Sequence, residues 1–278
     1  MNFMEKEKPI GVFDSGIGGL TVVKRLISTL PNENIIYFGD TARVPYGSKS
    51  NSTVVEYSIQ NTKFLIKKNV KAIVVACNTA SSVAIPKLKK NFDIPVIGMI
   101  KPGAAKAVSE TTSKKIGVIG TRATIANRAY SEEIKKLNSG VEIYEKACPL
   151  FVPLAEEGWI SHRATRLIAE EYLLELKENG IDTLVLGCTH YPILSGVIED
   201  VIGPGVKLID SGIAAAEAVK EELKRANLLT NSNATGNQDF YVSDIPTKFH
   251  QLAELFLGMD ITEVHKVELE ELTAFTGD

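Results

Sequence analysis

Two apolar runs of this chain each end at a cysteine that is followed within two residues by a threonine. The first run is VVACNTAS at 74–81 and the second is LVLGCTHYP at 184–192, which places Cys77 and Cys188 111 residues apart. A short apolar run bounded by small and polar residues is typical of a strand that is buried on both faces. The pattern therefore predicts two buried strands, each with a cysteine at its carboxyl end.

The rest of the chain alternates similar apolar runs with amphipathic stretches. The predicted strands are 9–15, 34–40, 71–77, 94–98, 115–121, 141–147, 182–188 and 206–211. The stretches at 19–30 and 162–180 carry apolar residues at helical spacing, which is typical of helices packed on a sheet. Because strands and helices alternate, we expect an α/β fold made of right-handed βαβ units and parallel sheets.

The order of these runs repeats within the chain. IGVFDSG from Ile10 resembles IGVIGTR from Ile116, and Cys77 corresponds to Cys188 at nearly the same offset. The repetition predicts two similar parallel-sheet α/β domains that face each other across a cleft, as a pseudo-twofold duplication. Ligands of open parallel sheets bind at the carboxyl ends of the strands, so both cysteines would face this cleft.

We expect the last part of the chain to return to the first domain. The segment LIDSGIAAAEAV at 208–219 resembles VFDSGIGGLTVV at 12–23, and further strand and helix patterns follow it. We interpret the polar segment 227–238 as a loop and the end 265–278 as a frayed terminus. The predicted domains are 1–100 plus 210–278 for the first and 101–209 for the second.

Composition and charge argue against several classes of protein. The 278 residues are 44% hydrophobic and 23% charged, which is typical of one large or two smaller globular domains. The net charge of −3 and the scattered Lys and Arg residues argue against nucleic-acid binding. The polar start and the short apolar runs argue against a signal peptide and a membrane span. Three cysteines, an odd count, do not suit a disulfide framework, so we expect a reduced, cytoplasmic protein.

A glycine-rich loop, FDSGIGGL at 13–20, follows the first predicted strand and opens a helix. Its free N–H groups could bind a dinucleotide phosphate, although the loop is neither a GxGxxG motif nor a P-loop. The glycines could instead serve only a tight turn that needs positive φ. The third interpretation is a carboxylate-sized anion site with Asp14 and Ser15 at the edge of the sheet.

The two cysteines together indicate chemistry that a single buried cysteine would not. Both would lie where a helix N-terminus favours a thiolate. Their polar neighbours are Asn78, Thr79, Thr189 and His190. A disulfide needs Cα atoms within about 7 Å, which two facing domain edges would exceed. Zinc bound by Cys77, Cys188 and His190 would lack the usual paired cysteine spacing. The third possibility is acid–base chemistry on both faces of one carbon, because a model thiol titrates at about 8.5.

Several other residues are weaker candidates. The loop at 40–50 would bring an aromatic ring and N–H groups to the cleft through Pro45, Tyr46 and Gly47. Glu156 is either a carboxylate in the cleft or a solvated residue like Glu157. We interpret Cys148 as structural. The residues expected to lie at the surface or to cap helices are His162, His250 and His265.

Five motifs occur in order along the chain: GVFDSGIGGLTV, VPYGSKS, ACNTAS, CPLFVPLAEEG and LGCTHYP. Together they closely resemble the glutamate racemases, within the aspartate/glutamate racemase superfamily, over nearly the whole chain. The resemblance implies cofactor-independent interconversion of L- and D-glutamate, which supplies D-glutamate for peptidoglycan. It also implies an enzyme without a metal ion that forms a homodimer.

The resemblance further implies roles for individual residues. Cys77 would act on the α-proton of D-glutamate and Cys188 on that of L-glutamate. The residues that would assist the thiols are Asp14, Glu156 and His190. The residues that would hold the substrate are Asp14, Ser15, Pro45, Tyr46, Gly47, Asn78, Thr79, Thr121, Thr189 and His190. Three alternatives stay open: an aspartate racemase, a redox or zinc-binding module, and a non-catalytic protein that binds amino acids.

Overall fold

The computed structural model describes residues 3–245 and 249–273. These residues form ten strands: β1 Ile10–Asp14, β2 Ile35–Gly39, β3 Ala72–Val75, β4 Val96–Gly98, β5 Lys115–Gly120, β6 Glu142–Ala147, β7 Thr183–Gly187, β8 Lys207–Asp210, β9 Gln238–Val242 and β10 His265–Lys266. The same residues form fourteen helices: α1 Phe3–Lys6, α2 Leu20–Thr29, α3 Asn51–Lys67, α4 Asn78–Val83, α5 Ile85–Asn91, α6 Ile100–Glu110, α7 Arg122–Ala126, α8 Ala129–Leu137, α9 Phe151–Glu156, α10 Arg163–Glu178, α11 Ser195–Ile202, α12 Ser211–Arg225, α13 Phe249–Leu257 and α14 Leu269–Thr273. Short 3₁₀ turns occur at Thr41–Arg43, Tyr46–Ser48 and Tyr191–Leu194.

The strands of the described residues form two sheets in which every pairing is parallel. The larger sheet has the order β10-β9-β2-β1-β3-β4, and the smaller has the order β6-β5-β7-β8. The first four strands of each half therefore share one order: second, first, third, fourth. Cys77 follows β3 and Cys188 follows β7, which are equivalent strands. This equivalence confirms the predicted fold class and is consistent with the predicted duplication.

Continuous apolar sequence accounts for the central strands. The strands β1, β2, β3 and β7 are buried along their whole length, as expected where helices cover both faces of a sheet. All eight predicted strands are present, and their ends differ from the prediction by at most two residues. The predicted amphipathic helices at 19–30 and 162–180 are α2 and α10.

The tail of the chain returns to the first sheet, where β9 pairs with β2 and β10 pairs with β9. The predicted loop at 227–238 has no helix or strand before Gln238. The prediction of a frayed end is wrong for 265–273, because β10 adds to the sheet and α14 packs on α3 and buries Leu272 completely. The remaining predicted frayed residues, 274–278, lie outside the described residues. The domain boundaries stay a prediction.

One helix, α12, joins the two halves. It begins directly after β8 of the smaller sheet and packs against both α2 and α6. Its side chains Val219 and Leu223 are fully buried, so the helix that leads the chain back to the first sheet is part of the hydrophobic core. Among the helices of residues 3–245 and 249–273, none is both long and apolar enough to cross a membrane.

Candidate active site

A cavity of about 340 Å³ lies where the carboxyl ends of β1, β3, β5 and β7 approach one another. Its walls include these sequence-predicted residues: Ser15, Pro45, Tyr46, Gly47, Cys77, Asn78, Thr79, Thr121, Glu156, Cys188, Thr189 and His190. Asp14 is not part of the wall, because its side chain is fully buried behind it. A larger groove of about 790 Å³ lies elsewhere, but no cysteine or histidine lines it. The chemistry of the side chains therefore identifies the smaller cavity as the candidate site.

Cys77 is a buried thiol at the first residue before α4. Its sulfur accepts a hydrogen bond from the Ala80 N–H at 3.5 Å and lies 3.6 Å from the Ser15 hydroxyl. Burial, with the nearby Asp14 carboxylate as a smaller cause, raises the pKa of this thiol to about 12. The predicted helix N-terminus is present and its Ala80 N–H lowers this pKa, but the loss of hydration outweighs that effect.

The side chain of Asp14 accepts hydrogen bonds from two N–H groups of the glycine-rich loop. Its Oδ2 accepts from the N–H groups of Gly16 and Gly19 at 3.1 and 2.9 Å. Its Oδ1 is buried without a hydrogen-bond partner, and burial raises the pKa of this carboxyl group against the opposing effects of His190 and the backbone. Because the carboxylate occupies these two N–H groups, they are not free to bind a dinucleotide or a substrate carboxylate.

The glycines of this loop are required for close approach of neighbouring atoms. A Cβ atom on Gly19 would lie 2.4 Å from the Asp14 Cβ, and one on Gly18 would lie 2.5 Å from the His190 ring and the Thr189 hydroxyl. The expected positive φ is wrong for this loop, since its glycines are not among the positive-φ residues of the described chain. Because the glycines of GIGGL have no side chains, the first half of the molecule can pack closely against the cysteine loop of the second half.

Cys188 lies beside a histidine and a carboxylate. Its sulfur is 3.8 Å from His190 Nδ1, and His190 Nε2 is 2.9 Å from Glu156 Oε1. Burial lowers the pKa of His190, but the charges and hydrogen bonds of Cys188 and Glu156 outweigh it and raise that pKa to about 10. His190 is therefore an imidazolium at neutral pH, and its positive charge lies beside the sulfur of Cys188. The chain after Cys188 forms a 3₁₀ turn, Tyr191–Leu194, and no helix begins directly after the cysteine. The predicted helix N-terminus at Cys188 is therefore wrong.

Three threonine hydroxyls meet at one side of the cavity. Thr79 Oγ1 lies 2.9 Å from Thr121 Oγ1 and 3.2 Å from Thr124 Oγ1, and the last two are 3.0 Å apart. A Cβ atom on Gly47 would lie 2.8 Å from the Thr121 Cβ, so glycine is needed at that position. The cluster joins the two halves, because Thr79 follows β3 and Thr121 follows β5. Hydroxyl groups of this kind can donate to a carboxylate.

Tyr46 lines the cavity, but its hydroxyl points elsewhere. The side chain is 1% exposed, and the hydroxyl bonds to Asp40 and, at 3.2 Å, to Asn61. These partners hold the loop at 40–50 against α3. The loop reaches the cavity through Pro45, Tyr46 and Gly47, and the binding role of the aromatic ring stays a prediction.

Some cavity residues were not predicted from the sequence. They are Gly16, Val44, Ser48, Arg122, Pro149, Val152 and Pro153. Most of them lie within the motifs quoted above, so their proximity to the site could have been read from motif position. Arg122 directly follows Thr121 and carries a positive charge, and no sequence signal distinguishes it from the other scattered arginines.

The weaker sequence predictions have mixed outcomes. Cys148 is fully buried in the core, as predicted for a structural residue. His162 caps α10 by accepting from the Ala164 N–H at 3.1 Å, and His250 and His265 are exposed, so these predictions are confirmed. All three cysteines are free thiols. Within the described ranges, no three side chains of His, Cys, Asp or Glu are grouped to hold a metal ion.

The sequence and fold match those of known racemases. The family model described as Asp/Glu/Hydantoin racemase matches residues 10–219, so the chain belongs to this family. The glutamate racemase of Geobacter metallireducens is 51% identical over 263 residues, which cover 95% of this chain and 97% of the relative. Within the family, the chain belongs with the glutamate racemases, and it is an isomerase.

Solved structures separate glutamate from aspartate racemases. The glutamate racemase of Francisella tularensis in complex with D-glutamate is 44% identical, with a TM-score of 0.89 and coverage of 95% of this chain and 99% of that one. An aspartate racemase of Picrophilus torridus is 18% identical with a TM-score of 0.57, over 80% of this chain and 98% of that one. The second likeness shows the shared fold alone, so the comparisons favour glutamate over the aspartate alternative.

Proposed function

We propose that this glutamate racemase inverts the α-carbon by two-base chemistry, with one thiol on each face. The observation that carries the proposal is that Cys77 and Cys188 line one cavity of about 340 Å³ from different sheets. A volume of this size falls in the usual range for small-molecule sites. Two groups that approach from separate halves of the molecule can reach opposite faces of one carbon, which a single group cannot do.

The surroundings of the two thiols support one starting state. We place the thiolate at Cys188, beside the imidazolium of His190, and the neutral thiol at Cys77, whose pKa is raised to about 12. In this state Cys188 takes the α-proton of L-glutamate, and the electron pair of the broken C–H bond stays on the α-carbon. Cys77 then donates its proton to the opposite face, which gives D-glutamate, a thiol at Cys188 and a thiolate at Cys77. Exchange with solvent protons restores the starting state, and the reverse reaction begins from the opposite one.

The carbanion needs donors that are already in place before the reaction. We assign this task to the predicted binding residues that carry donors at the cavity, namely Ser15, Gly47, Asn78, Thr79, Thr121, Thr189 and His190, while Pro45, which has no N–H, and Tyr46 shape the wall. Asp14 does not line the cavity and would act on the substrate through Cys77. His190 and Glu156 would act through Cys188. All of these chemical steps use side chains of the protein, so the proposed reaction is independent of a cofactor.

The proposed biological role is the supply of D-glutamate for peptidoglycan in the cytoplasm, by a homodimer. This role rests on the resemblance of the chain to the glutamate racemases. The D-glutamate complex of the Francisella tularensis relative supports glutamate as the ligand of the equivalent cavity.

The test follows L-glutamate by circular dichroism with protein dialysed against a chelator and a carbonyl reagent. We expect full racemisation without any added cofactor. In D₂O, the D-glutamate product should carry deuterium at the α-carbon, because the incoming proton comes from a thiol that exchanges with solvent. Activity that returns only with a metal ion or pyridoxal phosphate would contradict the proposal, as would a product that keeps its original hydrogen.

A further inference from the structure

We infer that Tyr130 and Ser211 are positioning residues, which hold the amide of Asn78 in one orientation and tie the two cysteine loops together. Asn78 directly follows Cys77 and lines the cavity, and it is 2% exposed. Tyr130 lies on α8 and Ser211 begins α12, and neither lines the cavity. The inference deepens the proposed function, because it concerns how one proposed substrate-binding residue is held.

A chain of three hydrogen bonds connects the two halves. The Ser211 hydroxyl lies 3.0 Å from the Leu186 carbonyl oxygen, Asn78 Nδ2 lies 3.4 Å from the Ser211 hydroxyl, and the Tyr130 hydroxyl lies 2.7 Å from Asn78 Oδ1. Leu186 belongs to β7, two residues before Cys188. The chain therefore runs from the strand that carries one thiol to the residue beside the other.

The donor and the acceptor of each hydrogen bond in this chain follow from the Leu186 carbonyl group at one end. A backbone carbonyl can only accept, so the Ser211 hydroxyl donates to Leu186 and its oxygen is left to accept from Asn78. That bond requires the amide nitrogen of Asn78 to face Ser211, and the amide oxygen then faces Tyr130, which donates to it. Because an amide orientation is assigned from its hydrogen-bond network, Ser211 and Tyr130 together determine it.

This orientation decides what Asn78 offers a substrate. Its carbonyl oxygen already accepts from Tyr130, and one of its N–H groups is used by Ser211. The second N–H of the amide remains to bind a substrate, and as a donor it suits a carboxylate. A flipped amide would present its oxygen instead, and that oxygen would repel the same carboxylate.

Packing makes Tyr130 a contact to the second cysteine loop as well. The ring is 1% exposed, and a Cβ atom on Gly187 would lie 3.2 Å from its Cε2. Gly187 is the residue directly before Cys188. On its other side, a Cβ atom on Gly103 would lie 3.0 Å from the ring. One side chain thus touches the residue before one thiol and bonds the residue after the other.

The test is a double-mutant cycle on the full-length enzyme. The variants are Tyr130→Phe, Ser211→Ala and Asn78→Ala, together with Asn78→Ala combined with each of the other two. The matched control is Tyr144→Phe, which removes a hydroxyl that bonds only the neighbouring Glu142 at 2.8 Å on the outer strand of the smaller sheet. For each variant, kcat and KM are measured for both enantiomers, and the dissociation constant of D-glutamate is measured by calorimetry.

We expect Tyr130→Phe to raise KM and the dissociation constant about tenfold, because a buried carbonyl oxygen loses its partner. Tyr144→Phe should leave both constants unchanged. In the Asn78→Ala background, Tyr130→Phe should change KM by less than about twofold, because residues that act through one another are not additive. A merely structural tyrosine would lower the melting temperature without this dependence on Asn78.

An unchanged KM in Tyr130→Phe, or the same tenfold loss when Asn78 is already alanine, would overturn the inference. If Tyr130→Phe does not fold, Ser211→Ala in the same two backgrounds decides in the same way. Failure of the wild-type enzyme to racemise glutamate would contradict the proposed function instead. In that event the calorimetric binding constants still decide the inference.

Discussion

Cys77 and Cys188 follow equivalent strands of the two sheets, β3 and β7, but the side chains around them differ. Beside Cys77 lies the buried carboxylate of Asp14, which together with burial raises the pKa of the thiol to about 12. Beside Cys188 lies His190, which Glu156 helps to keep protonated. The repeated fold thus places two thiols at one cavity, and it surrounds one with a buried carboxyl group and the other with an imidazolium.

Thermodynamics limits how this difference can be observed. The two enantiomers of glutamate have equal free energy, so kcat/KM must be the same in both directions for the wild type and for every variant. An asymmetry between the two thiols therefore has to show in kcat and KM separately, or in their dependence on pH. The predictions below use these quantities.

The largest effect should come from removal of either thiol. We expect Cys77→Ala and Cys188→Ala each to lower kcat by about 10³-fold or more, since the proposed mechanism makes each the acid or base on its own face. The matched control is Cys148→Ala, which removes a buried thiol outside the cavity and should keep kcat while it lowers the melting temperature. Circular dichroism with each enantiomer measures the rates. Near-wild-type racemisation by Cys188→Ala would show that one thiol serves both faces.

The positions of the two thiols were predictable, because a buried parallel strand is a clear sequence pattern and ligands bind at its carboxyl end. Strand patterns were expected in the tail, but β9 and β10 were not located individually, for the opposite reason. In β9 buried and partly exposed residues mix, and β10 consists of two exposed residues, His265 and Lys266, that only pairing with β9 makes a strand. Such edge strands carry little apolar signal of their own.

The surroundings of the thiols were less predictable than their positions. The helix argument correctly placed a helix after Cys77, yet it could not weigh burial, which dominates the pKa of that thiol. Tyr130 and Ser211 lie 52 and 133 residues from Asn78 in sequence, and no local pattern marks either of them. Contacts between distant segments depend on the packed fold, which composition and periodicity do not specify.

Mirror-image effects should follow from the two neighbours of the thiols. Asp14→Asn removes the charge that makes Cys77 a stronger base, so kcat should fall more with D-glutamate than with L-glutamate. His190→Asn removes the positive charge beside the sulfur that takes the proton of L-glutamate in the proposed mechanism, so kcat should fall more with L-glutamate. One pKa unit corresponds to a tenfold change, and we expect losses on the order of 10²-fold.

Progress curves from each pure enantiomer measure these two values of kcat. The accompanying changes in KM must keep kcat/KM equal in the two directions, which gives an internal control. Equal losses with both enantiomers in both variants would show that the two halves do not differ in the proposed way.

A smaller effect should come from the carboxylate behind His190. Glu156→Gln keeps a side chain of similar shape but removes a charge that raises the pKa of His190. The imidazolium then loses its proton at a lower pH, so the basic limb of the kcat profile for L-glutamate should move down by about one pH unit. At neutral pH His190 stays protonated, so we expect kcat to change little. The neighbouring Glu157→Gln is the matched control, and an unmoved basic limb in Glu156→Gln would contradict the proposed link.

The smallest effect concerns the pH dependence of folding stability, because His190 and Cys77 contribute to stability over different pH ranges. The pKa of His190 is raised from 6.5 to about 10 in the folded protein. Its contribution to stability is therefore fully present below pH 6.5 and is lost as the pH rises through about 10. The pKa of Cys77 is raised from 9.0 to about 12, so the folded state favours its neutral thiol and loses stability only above pH 9. Between pH 6.5 and 9 the melting temperature of the wild type should fall by on the order of 5 °C more than that of His190→Asn. If the melting temperatures of the two proteins changed equally with pH across this range, the folded protein would not hold His190 protonated.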